Sequence, residues 1–534
     1  MTSPTPHVCM LAAENDVIPG GKIGGIGDVV RDIPRALAAQ GARVSVVIPA
    51  YGTFHKLPGA TLCGVFTTRF RGLQERVELY ELYENQDPGV RYLVLHHPLF
   101  AVGGAGKVYC DDDGDQPFAT DANKFALFSI ASLDAIQEGL IEPIDVLHLH
   151  DWHTGLATAL IKFDPQYESL KSVRCVFSIH NLALQGIRPL ADNISSLQSW
   201  FPHLYYDPAD LTDPRWPHCV NPLAAAIRIA DRVHTVSPTY AQEILEPTDS
   251  ARGFHGGEGL ERDLQAAQSQ GRLFGIINGI DYPKAPKKPA PKVGKPWAQF
   301  MKDTADEMLR LIAKKDTLRT TDYVAHQRIL RWQALSRPAH VITGVGRLTD
   351  QKMALLMKAI PDDNGTSRTR PRAPLDIMLS SLEGRGMLLL LGSGDTALEA
   401  QCQEIASRHP HFLFLNQYSQ RLSDLLFDNG DLFLMPSSFE PCGISQMLSM
   451  RSGQPCFAHA VGGLRDTIID NTDGFLFSGE SLSGQSEALL SRFDEVLTLR
   501  ESKRDAYKKI SAAAKNQRFE WHDSATRYLS ELYS

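Results

Sequence analysis

Short stretches of this chain carry residue types and spacings that could do chemistry. In Lys22-Ile23-Gly24-Gly25-Ile26-Gly27-Asp28, glycines let backbone N–H groups approach an anion, and Lys22 adds a full positive charge. A glycine-rich turn serves chain reversal equally well, so this stretch alone leaves both readings open. In His148-Leu149-His150-Asp151-Trp152-His153, His148 and His150 would share one face of a strand, but no further ligand follows at metal-site spacing. Hydrogen bonds from Asp151 and the histidines to sugar hydroxyls, with Trp152 offering an apolar face, is the favoured reading. Core packing of Trp152 is the alternative. Arg347 and Lys352, in Gly346-Arg347-Leu348-Thr349-Asp350-Gln351-Lys352, suit a diphosphate, the first by its fork and the second as a point charge. Helix capping and surface ion pairing would explain them too. Glu440 in Phe439-Glu440-Pro441-Cys442-Gly443-Ile444-Ser445-Gln446 could hold sugar hydroxyls or stabilise positive charge on an anomeric carbon. Cys442 has no Cys–His pairing signal and is not read as a nucleophile.

The elements that must position these groups alternate. His7–Ala13 reads as a buried strand, and Val29–Ala38 has apolar positions at helical spacing. Strands follow at Arg43–Pro49, Val90–Leu95, Asp145–His150, Val173–Ile179 and Arg232–Val236, with an amphipathic helix over Lys124–Gln137. A second series is read from about Arg272–Gly279, through Val341–Val345, Met387–Leu391, Phe412–Leu415, Leu432–Met435 and Pro455–Ala458. Polar residues recur where strands end, the edge at which open α/β sheets bind ligands. Two doubly wound domains joined near 275–285, with a substrate cleft between them, fit this order best. Leu391-Gly392-Ser393-Gly394-Asp395 lacks the full dinucleotide fingerprint. The segments Tyr282–Lys292 and Pro361–Arg372 read as solvated insertions, and Asp111–Asp115 as a solvated turn without a calcium loop's ligand spacing.

The bulk numbers agree. At 534 residues the chain exceeds one typical domain, so at least two are expected. No apolar run is long enough for a membrane span, no secretory signal is apparent, and a net charge of −8 disfavours broad nucleic-acid binding. Eight cysteines without CxxC pairs read as reduced thiols of a cytoplasmic protein.

Taken together, the chain resembles the bacterial glycogen synthase and plant starch synthase family, retaining glycosyltransferases of the GT-B architecture. The resemblance rests on Lys22–Val30, His150–Leu156, His180-Asn181-Leu182-Ala183-Leu184-Gln185-Gly186, Ala230–Val233 with Thr235–Ser237, Asn278–Asp281, Arg347–Lys352, Pro436–Gln446 and Gly462-Gly463-Leu464. Phe519-Glu520-Trp521 with Ser524, Ala525 and Tyr528 looks like the family's terminal helix. It implies an α/β fold of two doubly wound Rossmann-like domains with an interdomain cleft. Expected bounds are 1–275 for an acceptor and catalytic domain, 276–510 for a nucleotide-sugar domain, and 511–534 for a helix crossing back to the first.

The resemblance also implies a reaction: glucose moves with retention from a nucleotide sugar, usually ADP-glucose, to the nonreducing 4-hydroxyl of an α-1,4-glucan. His180, Glu440, Arg347, Lys352 and Asp151 carry the catalytic roles. Lys22, Gly24, Gly25, Gly27, Asp28, Asn181, Asn278, Tyr418, Cys442, Gly443, Ile444 and Ser445 carry the donor and substrate contacts, Tyr418 by stacking a base. No metal or other cofactor, nucleic acid or membrane partner is expected. The alternatives are a relative that uses UDP-glucose or a small sugar acceptor, and a catalytically weak glucan-binding protein. Where the family has Gly after Gln-Lys, this chain has Met353. It has Ser438 for the usual Arg before Phe-Glu, and a longer stretch, Glu14–Gly21, before Lys22.

Overall fold

The computed structural model describes residues 6–83, 86–112, 114, 116–282, 296–358 and 372–534. The expected insertions at 283–292 and 361–371, and Asp113 and Asp115 of the acidic turn, lie outside the described residues. The chain divides into two compact units. The first takes residues 1–248, 256–281 and 520–534, and the second takes 249–255 and 282–519. The terminal region is thus shared: Arg504–Asn516 is a helix of the second unit, while Trp521–Arg527 and Tyr528–Leu532 belong to the first.

In chain order the strands are β1 (His7–Leu11), β2 (Arg43–Pro49), β3 (Thr61–Phe70), β4 (Leu73–Leu82), β5 (Val90–His96), β6 (Val146–His150), β7 (Arg174–Ile179), β8 (Arg188–Pro189), β9 (Cys219–Val220), β10 (Arg232–Thr235), β11 (Leu273–Gly275), β12 (His340–Val345), β13 (Gly386–Leu391), β14 (Phe412–Leu415), β15 (Leu432–Met435), β16 (Cys456–His459) and β17 (Gly474–Phe477). The first unit's nine-stranded sheet runs β11-β10-β7-β6-β1-β2-β5-β4-β3, and the second unit's six-stranded sheet runs β14-β13-β12-β15-β16-β17.

Every strand expected from the apolar runs is present, but β11 pairs with β10, so the second series begins with β12. The sequence reading also missed β3 and β4, an antiparallel pair beside β5. The helix expected from Lys124 begins at Ala119. It is buried on nearly every side rather than amphipathic, with Lys124 itself sealed in and paired to Asp121 at 2.7 Å. In the second unit, the helices Trp297–Ile312 and Thr320–Gln333 cover one face of the sheet with Leu389, Leu391, Leu413 and Leu415, and Leu482–Ser502 packs on the other.

In each sheet the winding of the parallel strands reverses at one point, between β1 and β6 in the first unit and between β12 and β15 in the second, and that reversal places the chemistry. The first unit's chain winds outward from β1 to β2 and from β6 to β7, so the loops after β1 and β6 diverge and leave a crevice at the strand ends. The second unit does the same between β12 and β15. All cysteines are free thiols, as expected, and no described helix is long and apolar enough to cross a membrane.

Candidate functional site

At the β1–β6 reversal the first group to account for is Glu14, which the sequence reading did not single out. Its Oε2 accepts the N–H groups of Ile23 (2.7 Å) and Gly24 (2.5 Å), and Tyr109 donates to its Oε1 at 2.7 Å. A protein carboxylate therefore fills part of the anion position expected at the glycine turn. Gly24 is the N-cap of the helix Gly25–Ala39. A Cβ at Gly25 would meet nothing within 4 Å, so a ligand can still approach that backbone, whereas one at Gly27 would press on Lys22. Lys22 is engaged too: its Nζ lies 2.6 Å from Asp28 and 3.7 Å from Asp16, and Arg31 joins the same carboxylates. Burial pushes the Asp28 carboxyl up, against the pull of Lys22 and Arg31.

Asp151 caps the opposite side of that crevice. It turns β6 into the helix Trp152–Phe163 with φ +55 and ψ −176, a strained backbone conformation that favours glycine. The helix can follow so tightly because Gly155 lies against Pro222, where a Cβ would stand 2.2 Å from the carbonyl oxygen. The sharp corner puts the Asp151 carboxylate beneath the loop after β7, where it accepts the backbone N–H of His180 at 2.6 Å and also that of Asn181. Desolvation raises its pKa to about 7, only partly offset by those N–H groups. Asn181 Oδ1 accepts from Ala183 N at 2.9 Å.

The histidines read as possible ligands or sugar contacts form a buried network. His180 Nε2 lies 2.9 Å from His150 Nδ1. His150 stacks on His148, whose ring joins Tyr533 OH (2.7 Å) and Ser178 Oγ (2.6 Å), and Ser178 Oγ meets His234 Nδ1 at 2.7 Å. Among the described residues no group of three or more His, Cys, Asp or Glu could hold a metal ion. Among the described residues His150 Nε2 is buried without a partner. An orphaned buried N–H is costlier than an idle lone pair, so the His150 proton sits on Nδ1 and is donated to His180. His180 then carries its own proton on Nδ1, and no described protein group takes it. Burial lowers the pKa of His180 to about 4, so this ring is a neutral donor at ordinary pH. Asn278 has a buried Oδ1 without a partner among the described residues.

These rings make acid stability testable. Burial lowers His153 and His234 to about 3, and His148 and His150 well below the usual range. Unfolded histidines bind protons from about pH 6.5 downward and these folded ones do not, so each costs about 1.4 kcal/mol of stability per pH unit below that point. Asp151, with its folded pKa raised to about 7, works in the opposite direction, as do the raised carboxyls of Asp28, Asp121, Asp134 and Asp473, but the lowered histidines outnumber them. The thermal midpoint should stay nearly level above pH 7 and fall steeply below about 6.5. A midpoint unchanged down to about pH 5 in a melting series would refute the buried neutral network.

In the second unit, the loops after β12 and β15 meet at the reversal. Ser438 N donates to Gln351 O at 2.8 Å, and Gln351 Nε2 returns a bond to Phe439 O at 2.9 Å. The Ser438 hydroxyl adds a second bond to Gln351 O at 3.1 Å. This clasp brings Lys352 and Glu440 together as an ion pair, with Ser437 Oγ donating to Glu440 at 3.2 Å. Glu440 is 6% exposed. Its backbone is fixed by Gly463 N, at 3.0 Å, and a Cβ on Gly463 would stand 2.4 Å from Cys442 Cα, so the Gly-Gly pair is there for close approach. Cys442 is buried, and its carbonyl accepts from Gln446 Nε2. Gly443 takes φ +76 and leads through Ile444 to the helix Ser445–Arg451, only seven residues long. Arg347 is exposed and makes no hydrogen bond or ion pair with a described residue. Tyr418, after β14, presents a ring 54% exposed. Arg347 on the loop after β12, Lys352 in the first turn of the helix Asp350–Met357 and Glu440 on the loop after β15 are thus gathered at the reversal, while Tyr418 stands off on the loop after β14.

Comparison with known proteins bears on this arrangement. Residues 7–266 match the family model described as starch synthase catalytic domain, and residues 377–517 match glycosyl transferases group 1. A glycogen synthase of Streptococcus equi subsp. equi is 30% identical over 98% of this chain and 99% of its own. One from Aeromonas salmonicida is 31% identical over 95% and 94%. The catalytic domain of starch synthase IV from Arabidopsis thaliana, solved bound to ADP and acarbose, superposes with a TM-score of 0.73 at 25% identity, covering 99% of each chain. A sucrose-phosphate synthase from Thermosynechococcus elongatus shares the fold at a TM-score of 0.54 and 16% identity.

Proposed function

The chain belongs to the glycogen and starch synthase family of glycosyltransferases, and from that premise we propose that it transfers glucose with retention from ADP-glucose to the nonreducing 4-hydroxyl of an α-1,4-glucan. The observation that carries this is the Lys352–Glu440 pair at the second sheet's reversal, with Arg347 on the loop that leads into the lysine's helix. A binding protein has no need of two cations placed to neutralise a diphosphate. ADP in the related starch synthase IV supports the adenine donor.

Arg347 and Lys352 hold the departing diphosphate, and Glu440 accepts from glucose hydroxyls while its charge favours positive charge on the anomeric carbon. The bond from that carbon to the diphosphate oxygen breaks, and the bond to the acceptor oxygen forms on the same face. The acceptor's proton passes to a diphosphate oxygen. Side chains and backbone amides from Cys442 to Ser445 carry the charge that a metal would otherwise carry. Tyr418 stacks the base. In the first unit, His180 gives a neutral Nδ1–H to a sugar oxygen, and Asn181 and the unpaired Asn278 Oδ1 contact hydroxyls. Asp151, whose carboxylate is taken up by two backbone N–H groups, holds that loop in place. Lys22 reaches the donor by turning from Asp28, with Gly24, Gly25 and Gly27 giving room, and the protein works in the cytoplasm.

Purified protein given radiolabelled ADP-glucose and glycogen should build label into polymer, with UDP-glucose a poor substitute. A product of short defined length would point instead to a small acceptor. No incorporation from either donor would overturn the reading.

A further inference from the structure

A cavity of about 450 Å3 lies wholly within the first unit, lined by Gln116, Phe118, Gln185, Arg188, Trp216 and Glu258 among others. That volume lies in the range of small-molecule sites. Its unusual member is Arg188, on β8, which is only 3% exposed. Nε donates to Ser195 O at 3.2 Å and Nη1 to Pro117 O at 2.9 Å. Among the described residues no carboxylate forms an ion pair with it, and Nη2 has no partner. A buried guanidinium without a counter-charge is costly, and burial works against its charge. Asp112 lies near enough to favour that charge, but its oxygens are taken by Thr120 N at 2.8 Å and Thr120 Oγ1 at 2.6 Å. The second cation in the wall, Arg215, is already matched: it lies 3.4 Å from Asp213 and donates to Gln185 Oε1 at 2.8 Å. So the cavity keeps one cation in reserve.

The rest of the wall fits a sugar. Trp216 is 52% exposed and has its ring braced by Arg215 at 4.5 Å. Phe118 lies 5.6 Å from Trp152. Gln116 and Asn193 offer amides for hydroxyls. We infer that this cavity binds a monosaccharide phosphate, with the phosphate on the free edge of Arg188 and the pyranose against Trp216. The site is distinct from the groups assigned to the donor diphosphate. Its floor is the segment that runs on from His180 and Asn181, where Gly186 (φ +64) lies so close to Trp152 that a Cβ would stand 2.0 Å from the ring. An occupant therefore braces the loop that presents His180.

The test measures binding to the full chain by calorimetry, without donor or glucan, so a failed transfer assay leaves it intact. The probes are glucose 1-phosphate, glucose 6-phosphate, inorganic phosphate and glucose. One sugar phosphate should bind at least about tenfold tighter than glucose or inorganic phosphate alone. Trp216→Ala, at an exposed ring, and Arg188→Met should each weaken that binding about tenfold or more, and Arg188→Lys should restore part of it. Lys352→Ala should leave it unchanged. Equal binding of glucose and its phosphates, or undiminished binding by both Trp216→Ala and Arg188→Met, would overturn the assignment. So would binding lost in Lys352→Ala, which would place the phosphate in the second unit. If Arg188→Met fails to fold, the Trp216 variant and the probe series still decide.

Discussion

Lys352→Ala is expected to lower kcat by about a hundredfold or more, roughly 3 kcal/mol of transition-state stabilisation, while the fold survives. The lysine sits in the first turn of the helix Asp350–Met357 that follows β12, and its ammonium is fixed on Glu440 by a clasp of backbone and Gln351 bonds. The charge is thus placed before a ligand arrives, which is where electrostatic catalysis gains most. Removing it deprives the leaving diphosphate of a counter-ion and leaves a buried Glu440 without one. Glu440→Gln keeps the volume and the hydrogen-bonding but not the charge, and should cost a similar factor. Because the two act as a unit, Lys352→Ala with Glu440→Gln should cost far less than the product of the single losses. The lysine is a quarter exposed, so the stability loss should be about 1 kcal/mol or less. Steady-state kinetics and melting curves on the three variants decide this. Wild-type kcat in either single variant would remove the pair from the mechanism.

How much of this was legible in the sequence depended on whether a signal was local. The parallel strands showed because both their faces are buried, so Met387–Leu391 or Leu432–Met435 read as unbroken apolar runs. β3 and β4 escaped because they alternate buried with exposed positions and include Gly64, Arg69, Arg76 and Glu81. The helix Ala119–Gln137 was misread as amphipathic because its charged Lys124 is neutralised inside by Asp121, three residues away in a pattern that also suits a surface. Arg347, Lys352 and Glu440 could be found because each follows a readable strand. Glu14 could not. Its role rests on the amides of Ile23 and Gly24 folding back onto it, and the only trace in the sequence is a carboxylate just past the end of β1. Nor could spacing tell that Lys22 would spend its charge on Asp28, or that the histidines would hydrogen-bond each other rather than a metal.

The histidine network leads to the second large effect, and an isosteric pair of substitutions isolates it. His150→Asn keeps an N–H near the position of Nδ1 and should keep kcat within about threefold. His150→Asp puts an acceptor there and should lower kcat by about thirtyfold or more, with KM changed far less. The two side chains have nearly the same shape, so a packing role for His150 would treat them alike. What differs is the direction of the bond at 2.9 Å. With a donor at position 150, the His180 proton stays on Nδ1, where no described protein group competes for it. With an acceptor, the proton is drawn to Nε2 and the face offered to the sugar becomes a lone pair. A carboxylate beside the ring would also raise the His180 pKa from about 4 toward the range where imidazole titrates during an assay. Raising the pH should then change the rate of His150→Asp in a range where the wild type is flat. Nitrogen NMR of labelled histidine reads the tautomer directly in the free protein, whatever happens to activity. A wild-type His180 protonated on Nε2, or equal kcat in the Asn and Asp variants, would refute the assignment. A neutral ring with its proton on Nδ1 would leave His180 as a fixed donor, and His150 as the residue that sets its direction.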